Sequence, residues 1–312
     1  MPHHRTLDEI KLDRSWLSIG VFDGVHLGHQ SLLRRLVEGA HAEGLPAVVV
    51  TFFPHPVVVL HDLQDPVYLS MPDERAELLT EAGVDEVVTL EFDRHLASRT
   101  AAEFMGMMKE HLGVVHLCAG YDFALGRGRE GNLSVLRQLG NQMGFTIEVI
   151  QPVSGLKNEV ISSSHIRDLL SQGEVHTAGD LLGRHYTIDG IVSHGDGRGH
   201  GLGFPTANIS IPEQRLAPGR GVYATWIWLR NERFPAVTNI GLRPTFENQP
   251  VLPRIEAHIL DLPDDPDLYG QPVRLEFVEF LRPELRFPHI QSLIDQINKD
   301  IQRSREVFDH DR

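Results

Sequence analysis

Residues 19–30 read IGVFDGVHLGHQ, a turn that contains three glycines and two histidines three residues apart. The apolar segment 16–19 precedes this turn, and apolar residues recur at helical spacing from Leu32 to Val37. The stretch therefore predicts a strand, a glycine-rich turn and a helix, in that order. Glycine lets a ligand come close to the backbone, and the free N–H groups at the start of a helix favour phosphate. The turn is a candidate site for the transfer of a phosphate-containing group.

The pattern of the first half of the chain extends this prediction. Short Val-rich runs alternate with longer amphipathic stretches, which is typical of parallel strands covered by helices. The predicted strands are 16–21, 47–53, 86–90, 114–119 and 145–150, and the predicted helices are 30–43, 73–82, 100–111 and 132–142. Ligands bind at the carboxyl ends of the strands in such a sheet, and the turn follows the first predicted strand.

The second half of the chain has a different pattern. After residue 186, strand-like runs are separated by Gly, Pro and Asn, and the chain ends in an apolar-periodic segment. Strands are predicted over 186–194, 222–229, 254–260 and 273–280, with a helix from about 290 to 307. This pattern favours an antiparallel barrel or sandwich. We therefore predict two domains, 1–183 and 184–312.

Composition excludes several classes of function. The net charge of −14 over 312 residues argues against a duplex nucleic-acid partner, which needs clustered Lys and Arg. No apolar run approaches the roughly 18 residues that span a bilayer, and the first residues lack a signal-peptide core. These features predict a cytoplasmic protein with no membrane partner. The single cysteine, Cys118, excludes an intrachain disulfide and Cys-rich zinc sites, and its apolar neighbours predict a buried strand residue.

The motifs of the first half carry a family resemblance. His26-Leu27-Gly28-His29 resembles the signature of the HxGH nucleotidyltransferases, and the whole turn resembles the adenylyltransferase half of prokaryotic bifunctional riboflavin kinase/FAD synthetases. Three more segments match that family: TFFPHP (51–56), GYDFALGRGR (120–129) and ISSSHIR (161–167). Phe53 stands where the family usually has a polar residue, and Ser164 replaces the threonine of its SSTxIR motif.

This resemblance implies a Rossmann-like nucleotidyltransferase domain and assigns roles to its residues. His26 and His29 are the expected catalytic donors to charge that develops on the α-phosphate of ATP. The other residues expected to bind nucleotide or phosphate are Gly20, Phe22, Asp23, Gly24, Gly28, Asp122, Arg127, Ser162, Ser163, Ser164 and Arg167.

The second half contains the segment GDGRGHGLGFPTAN (195–208), which resembles the metal- and nucleotide-binding signature of riboflavin kinase. The resemblance assigns Gly201, Gly203 and Pro205 to the nucleotide, and Thr206 and Asn208 to Mg²⁺, a cation that accepts neutral oxygen ligands.

An alcohol needs a base to take its proton, and Glu256 is the best candidate in the barrel half. On a strand it shares a face with Arg254 and His258. The catalytic glutamate of the resembled family falls at Glu256, downstream of the matching segment NIGLRPTF (239–246). The resemblance therefore implies an antiparallel riboflavin kinase barrel with a terminal helix.

The implied function is phosphorylation of riboflavin to FMN by the second domain and adenylylation of FMN to FAD and pyrophosphate by the first. The expected partners are ATP, riboflavin and FMN with Mg²⁺, and flavin-requiring apoproteins as FAD acceptors, with the oligomeric state left open. Three alternatives remain: a riboflavin kinase whose first domain is degenerate at Phe53, Ser164 and His165, a non-catalytic flavin-binding regulator, and a nucleotidyltransferase for another acceptor.

Overall fold

The structure is a computed structural model that describes residues 3–63, 67–151, 160–194, 203–242, 253–262 and 268–311. The chain divides into two compact units, Met1–Ser163 and Ser164–Arg312. This division precedes the boundary expected near residue 183, which stays a prediction for the limits of the two catalytic domains.

The first unit is built on a parallel sheet. Its strands are β1 (His3–His4), β2 (Ser15–Ile19), β3 (Ala47–Phe53), β4 (Glu86–Glu91), β5 (Val114–Gly120), β6 (Ala124–Leu125), β7 (Gly131–Asn132) and β8 (Thr146–Ile150). Six of them pair in the order β1-β4-β3-β2-β5-β8, every pair parallel, while β6 and β7 form a separate antiparallel ribbon. The chain runs from β2 to β3 on one side and later returns to β5 on the other side of β2. The carboxyl ends of β2 and β5 therefore flank the switch point of the sheet, where ligands bind in such folds.

Helices cover both faces of this sheet. They are α1 (Leu27–Ala42), α2 (Pro56–His61), α3 (Pro72–Glu81), α4 (Arg94–Ala97), α5 (Ala101–Leu112) and α6 (Leu133–Met143). Successive strand residues point to opposite faces. Accordingly, Leu17 and Val48 belong to the apolar cluster that includes α5 and α6, whereas Trp16 and Val49 belong to the cluster that includes α1 and α3. Cys118 is buried in the second cluster, and this burial raises the pKa of its thiol to about 12, as expected for a strand residue without nucleophilic character.

The second unit contains a closed barrel. Its elements are α7 (Ser163–Ser171), α8 (Val175–Leu182), β9 (Tyr186–Ser193), β10 (Ala207–Ser210), β11 (Gly221–Leu229), β12 (Glu232–Leu242), β13 (Pro253–Ile259), β14 (Pro272–Arg282) and α9 (Ile290–His310). The barrel closes in the order β10-β13-β12-β11-β14-β9 with every pair antiparallel. Fully buried side chains such as Tyr223, Ile227 and Phe277 pack in its interior. The terminal helix α9 lies on the outer face, where Phe308 packs against Trp226.

The structure confirms the predicted architecture and adds strands that the pattern missed. The five predicted parallel strands and four predicted barrel strands are all present, with ends that differ by a few residues. Two barrel strands were not predicted: β10, which is only four residues long, and β12, which contains Pro235. In the part of the chain that the structure describes, no helix has the length and apolar content to cross a membrane.

Candidate active sites

The two histidines of the first unit lie together where β2 leads into α1. His26 is the N-cap residue of α1, and its Nδ1 accepts a hydrogen bond from the backbone N–H of His29 at 3.3 Å. The two imidazole rings stack with centroids 3.7 Å apart and an angle of 16° between their planes. Because Nδ1 of His26 accepts this hydrogen bond, the N–H of the neutral ring is on Nε2.

The turn before these histidines has an unusual backbone. Phe22, Gly24 and Val25 all have positive φ angles of 51°, 78° and 40°, a conformation that costs energy for residues other than glycine. Phe22 and Val25 are nevertheless buried in the core, and the Phe22 ring contacts His29 edge-on at 5.1 Å between centroids. Burial of these apolar side chains thus holds the strained turn in place.

Two of the glycines of the turn lie against aromatic rings. A Cβ atom on Gly20 would lie 2.9 Å from the Phe22 ring, and one on Gly28 would lie 3.1 Å from the His26 ring. At both positions glycine makes room for a ring of the turn itself. The predicted role of these glycines in phosphate binding stays a prediction.

Asp23 is buried and its carboxylate is fully engaged within the protein. Both of its oxygens accept hydrogen bonds: Oδ2 from Leu69 N–H at 3.0 Å, and Oδ1 from Ser70 N–H at 2.9 Å and Ser70 Oγ at 3.1 Å. The guanidinium of Arg75, which is fully buried, lies 3.4 Å from Oδ1. This network fastens the turn to the segment before α3.

His29 is held as a neutral imidazole. Burial is the main cause that lowers its pKa well below that of an exposed histidine, and the nearby His26 and Arg75 add to the effect. Its Nδ1 atom is buried and has no hydrogen-bond partner among the described residues. A neutral ring can donate one N–H to a phosphate oxygen without carrying a charge of its own.

The loop after β5 lies beside the turn at the switch point. Asp122 and Arg127 are both exposed in this loop, and Arg129 donates to the backbone carbonyl of Asp122 at 2.9 Å. The backbone N–H of Arg127 donates to the carbonyl of Arg99, and the Glu130 carboxylate accepts from the N–H of Ala101 at the start of α5. The loop is therefore anchored at its base while its charged side chains face solvent.

The serine segment is divided between the two units. Ser162 and Ser163 belong to the first unit, and Ser163 Oγ donates to the backbone carbonyl of Asp23 at 2.9 Å. Ser163 thus bonds directly to the histidine-containing turn. Ser164 and Arg167 lie on the first turns of α7 in the second unit.

In the second unit, the pairing of the strands aligns three polar residues in one row. Glu256 on β13 is the direct partner of Asn208 on β10 and of Asn239 on β12. Arg254, two residues before Glu256, donates to its Oε1 at 2.9 Å. Since Glu256 lies opposite the fully buried Ala257 and Ile255 along the strand, this row stands on the outer face of the barrel.

The outer face carries a cavity of about 440 Å³ between the barrel and α9. Thr206, Asn239, Glu256 and Arg282 contribute polar groups to its wall, and Val222, Val237, Leu285, Phe287, Leu293 and Ile297 contribute apolar ones. A largely apolar cavity with a few polar groups is typical of a site for a small organic ligand. Glu256 is therefore a cavity residue and not an isolated surface glutamate.

The sequence motifs do not show how the polar residues of this wall are arranged. Arg282 donates to both oxygens of Asp300 on α9 at 2.7 to 3.0 Å, and this pair is largely buried. Asn239 is in the segment that carried the resemblance, but only the strand register places it beside Glu256. Asp300 belongs to no motif, so its position in the cavity could be found only from the fold.

The loop before β10 is tied to the same face. His258 Nδ1 lies 2.8 Å from the carbonyl oxygen of Pro205, and its ring contacts Phe204 edge-on. Gly203 has a positive φ of 85°, and Thr206 is exposed at the cavity. Gly201, which the sequence assigns to the nucleotide, lies outside the described residues.

The side-chain oxygen atoms near the cavity suit a hard cation that also binds phosphate oxygens. Thr206 and Asn208 supply a hydroxyl and an amide oxygen, and Glu256 stands next to Asn208 in the row. Mg²⁺ takes a few such ligands together with water and phosphate oxygens. In the described ranges, no group of three or more His, Cys, Asp or Glu side chains is arranged to hold a metal ion.

A parallel sheet with a stacked histidine pair at its switch point, joined to a barrel with a carboxylate-lined cavity, defines a nucleotide-dependent transferase of two domains. The profile of the FAD synthetase family matches residues 9–165, and that of the riboflavin kinase family matches 182–308. The chain belongs to the family of bifunctional riboflavin kinase/FMN adenylyltransferases.

Relatives of that name match nearly the whole chain. The proteins from Listeria monocytogenes and Bacillus subtilis are both 35% identical to it, over 98% of this chain and 96% of their own length. The protein from Escherichia coli K12 is 38% identical, over 94% of this chain and 92% of its own.

A solved structure shares the fold. A crystal structure from Streptococcus pneumoniae, described as a macrolide-efflux protein, superposes with a TM-score of 0.87 at 29% identity. The superposition covers 97% of this chain and 98% of the other.

Proposed function

We propose that this chain phosphorylates riboflavin to FMN with ATP in its second domain and transfers AMP from ATP to FMN in its first domain, giving FAD and pyrophosphate. The observation that carries the proposal is that one chain holds two chemically different sites. One has a stacked histidine pair at a helix start, and the other has a carboxylate in a largely apolar cavity. The names and lengths of the matched relatives support the same two activities.

In the kinase reaction, Glu256 takes the proton of the riboflavin hydroxyl while the hydroxyl oxygen attacks the γ-phosphorus of ATP. The O–H bond breaks, a new O–P bond forms, and ADP leaves with the electrons of the broken P–O bond. Strand pairing with Asn208 and Asn239 sets the position of the Glu256 carboxylate in the wall of the cavity. The apolar wall on α9 suits the isoalloxazine ring.

In the adenylyl transfer, an oxygen of the FMN phosphate attacks the α-phosphorus of ATP, and pyrophosphate leaves. His26 and His29 donate N–H groups to the phosphoryl oxygens on which charge increases. Because burial lowers the pKa of His29, its ring adds a hydrogen bond without a fixed charge. Asp23 acts as a positioning residue, because its carboxylate is engaged by Leu69, Ser70 and Arg75.

The remaining site assignments are part of the same proposal. The residues of the first domain that contact nucleotide or phosphate are Gly20, Phe22, Gly24, Gly28, Asp122, Arg127, Ser162, Ser163, Ser164 and Arg167. In the kinase domain Gly201, Gly203 and Pro205 contact the nucleotide.

Mg²⁺ fits the kinase site through Thr206 and Asn208, where it would neutralise charge on the phosphates of ATP. We further propose that the chain works in the cytoplasm, that its catalytic domains divide near residue 183, and that flavin-requiring apoproteins accept its FAD.

A substrate assay with two separate products tests the proposal. The kinase step releases ADP and the adenylyl step releases pyrophosphate, so the two reactions are followed independently with riboflavin or FMN as substrate. We expect Glu256→Gln to lower ADP release by about 100-fold or more and to leave pyrophosphate release from FMN unchanged. His29→Ala should lower pyrophosphate release by about 10- to 1000-fold and leave ADP release unchanged.

Each alternative gives a different result in this assay. ADP without pyrophosphate from the unmodified chain would indicate a riboflavin kinase with a degenerate first domain. Pyrophosphate from an acceptor other than FMN would indicate another nucleotidyltransferase. Flavin binding with neither product would indicate a regulator and would refute the proposal.

A further inference from the structure

Arg254 is a cationic side chain in the kinase cavity that the mechanism above does not use. Its Nη2 atom lies 2.9 Å from Oε1 of Glu256, and both side chains are about one quarter exposed, 26% and 25%. The contact follows from the strand geometry, because residues two apart on β13 point to the same face. Arg254 pairs in register with Gly241 and lines the cavity.

The other basic side chains of the cavity wall contact different partners. Arg282 forms a two-pronged ion pair with Asp300, and this pair is more deeply buried, at 16% and 6% exposure. His258 lies 2.8 Å from the carbonyl oxygen of Pro205. Arg254 is therefore the guanidinium in direct contact with the carboxylate that receives the proton.

This contact changes in strength during the reaction. Before transfer, Glu256 is an anion and attracts Arg254. When Glu256 takes the hydroxyl proton it becomes neutral, while negative charge increases on the oxygens of the phosphoryl group being transferred nearby. A guanidinium has five N–H donors in a fixed fork, so it can keep one bond to the carboxyl group and direct others to phosphate oxygens.

We propose that Arg254 is a phosphate-binding residue of the kinase reaction, which orients Glu256 for proton transfer and then binds the phosphate group placed on the flavin. The inference rests on the proposed kinase function of this domain. It gives the site a way to distinguish FMN, which carries the phosphate, from riboflavin, which does not.

The test compares Arg254→Gln and Arg254→Lys with the unmodified full-length chain, with ADP release as the readout of the kinase step. We expect Arg254→Gln to lower kcat by about 100-fold, while the KM for riboflavin changes by no more than roughly threefold. Added FMN should inhibit ADP release by the Gln variant about tenfold more weakly, because a charge-assisted hydrogen bond to phosphate is lost. Inhibition by lumichrome, which has the ring but no phosphate, should stay the same.

Arg254→Lys keeps the positive charge but lacks the planar guanidinium with its several N–H donors, so an intermediate kcat is expected. Arg274→Gln is the matched control, since it removes an Arg–Asp pair of 2.6 Å on the same barrel that does not line the cavity. This control should leave ADP release unchanged.

Several results would overturn the inference. If Arg254→Gln raised the KM for riboflavin and left kcat and FMN inhibition unchanged, Arg254 would only shape the cavity. If kcat fell but FMN and lumichrome inhibition were both unchanged, Arg254 would act through Glu256 alone. If the unmodified chain released no ADP from riboflavin, the proposed kinase function would fail, and the inference would fail with it. If the unmodified chain and Arg254→Gln both released ADP at the full rate, only the inference would be refuted.

Discussion

In the first unit the site residues hold one another in place, whereas in the second unit they stand on a barrel that is complete without them. His26 stacks on His29, and Asp23 is enclosed by backbone N–H groups and Arg75. By contrast, Glu256 and Arg254 are partly exposed on the outer face, while the barrel interior is filled by other side chains.

This difference has a physical cause. The histidine turn must keep positive φ angles at Phe22 and Val25, and only buried contacts make that conformation stable. The kinase residues lie on regular strands, so the ladder of backbone hydrogen bonds already sets their positions. Substitutions in the first site should therefore affect both folding and activity, and those in the second should affect activity alone.

Asp23→Ala should have the largest effect on folding. It leaves the fully buried Arg75 without its anionic partner, and breaking such a pair costs about 3–5 kcal/mol. We expect urea unfolding to shift by this amount and pyrophosphate release to be lost, while ADP release continues as long as the barrel stays folded. Asp62→Ala is the control, because it removes an exposed ion pair with Arg94 and should cost only about 0.5 kcal/mol. Equal costs for the two variants would contradict the comparison.

Gly28→Ala should have a smaller effect on folding than Asp23→Ala, and its effect on activity should be confined to the first domain. The added Cβ would lie 3.1 Å from the His26 ring, so the ring must move by a few tenths of an ångström. We expect pyrophosphate release to fall by roughly tenfold, because catalysis depends steeply on the position of donors. Gly106→Ala on α5, where a Cβ meets open space, is the matched control. Unchanged pyrophosphate release in Gly28→Ala would mean that the ring position of His26 does not limit the rate.

The smallest predicted effect is on the pH dependence of the free energy of unfolding. The pKa of His29 is lowered by burial, so below the pKa of an exposed histidine the unfolded chain binds more protons than the folded one. The stability that comes from a neutral His29 is therefore present above about pH 6.5 and is lost as the pH falls toward the lowered value. His29→Gln should flatten the dependence of the unfolding free energy between pH 5 and 8, and substitution of the exposed His176 by Gln serves as control. A slope that is the same in all three chains would contradict the assignment.

The regular elements could be predicted from sequence because their periodicity reflects burial. Strands such as 47–53 and helices such as 101–112 have the expected patterns, and the structure confirms them within a few residues. The short strand β10 and the Pro-containing strand β12 were missed because pattern alone does not recognise strands that tertiary pairing stabilises.

The motifs indicated which residues belong to the two sites, but not which contacts hold those residues in place. Nothing in the sequence indicates that Asp23 contacts the segment at Ser70, or that Arg282 pairs with Asp300 across the cavity. These contacts join residues that are far apart in the chain, and only the fold brings them together. The roles assigned to the individual site residues stay predictions until the substitutions are measured.

The alignment of Asn208, Glu256 and Asn239 across three strands also limits how this part of the chain can change in length. One residue inserted within Pro253–Ile259 would turn Glu256 toward the barrel interior and bring Ile255 or Ala257 to the outer face. Insertions in related sequences should therefore lie outside this strand. The register of β13 therefore determines which of its side chains face the cavity.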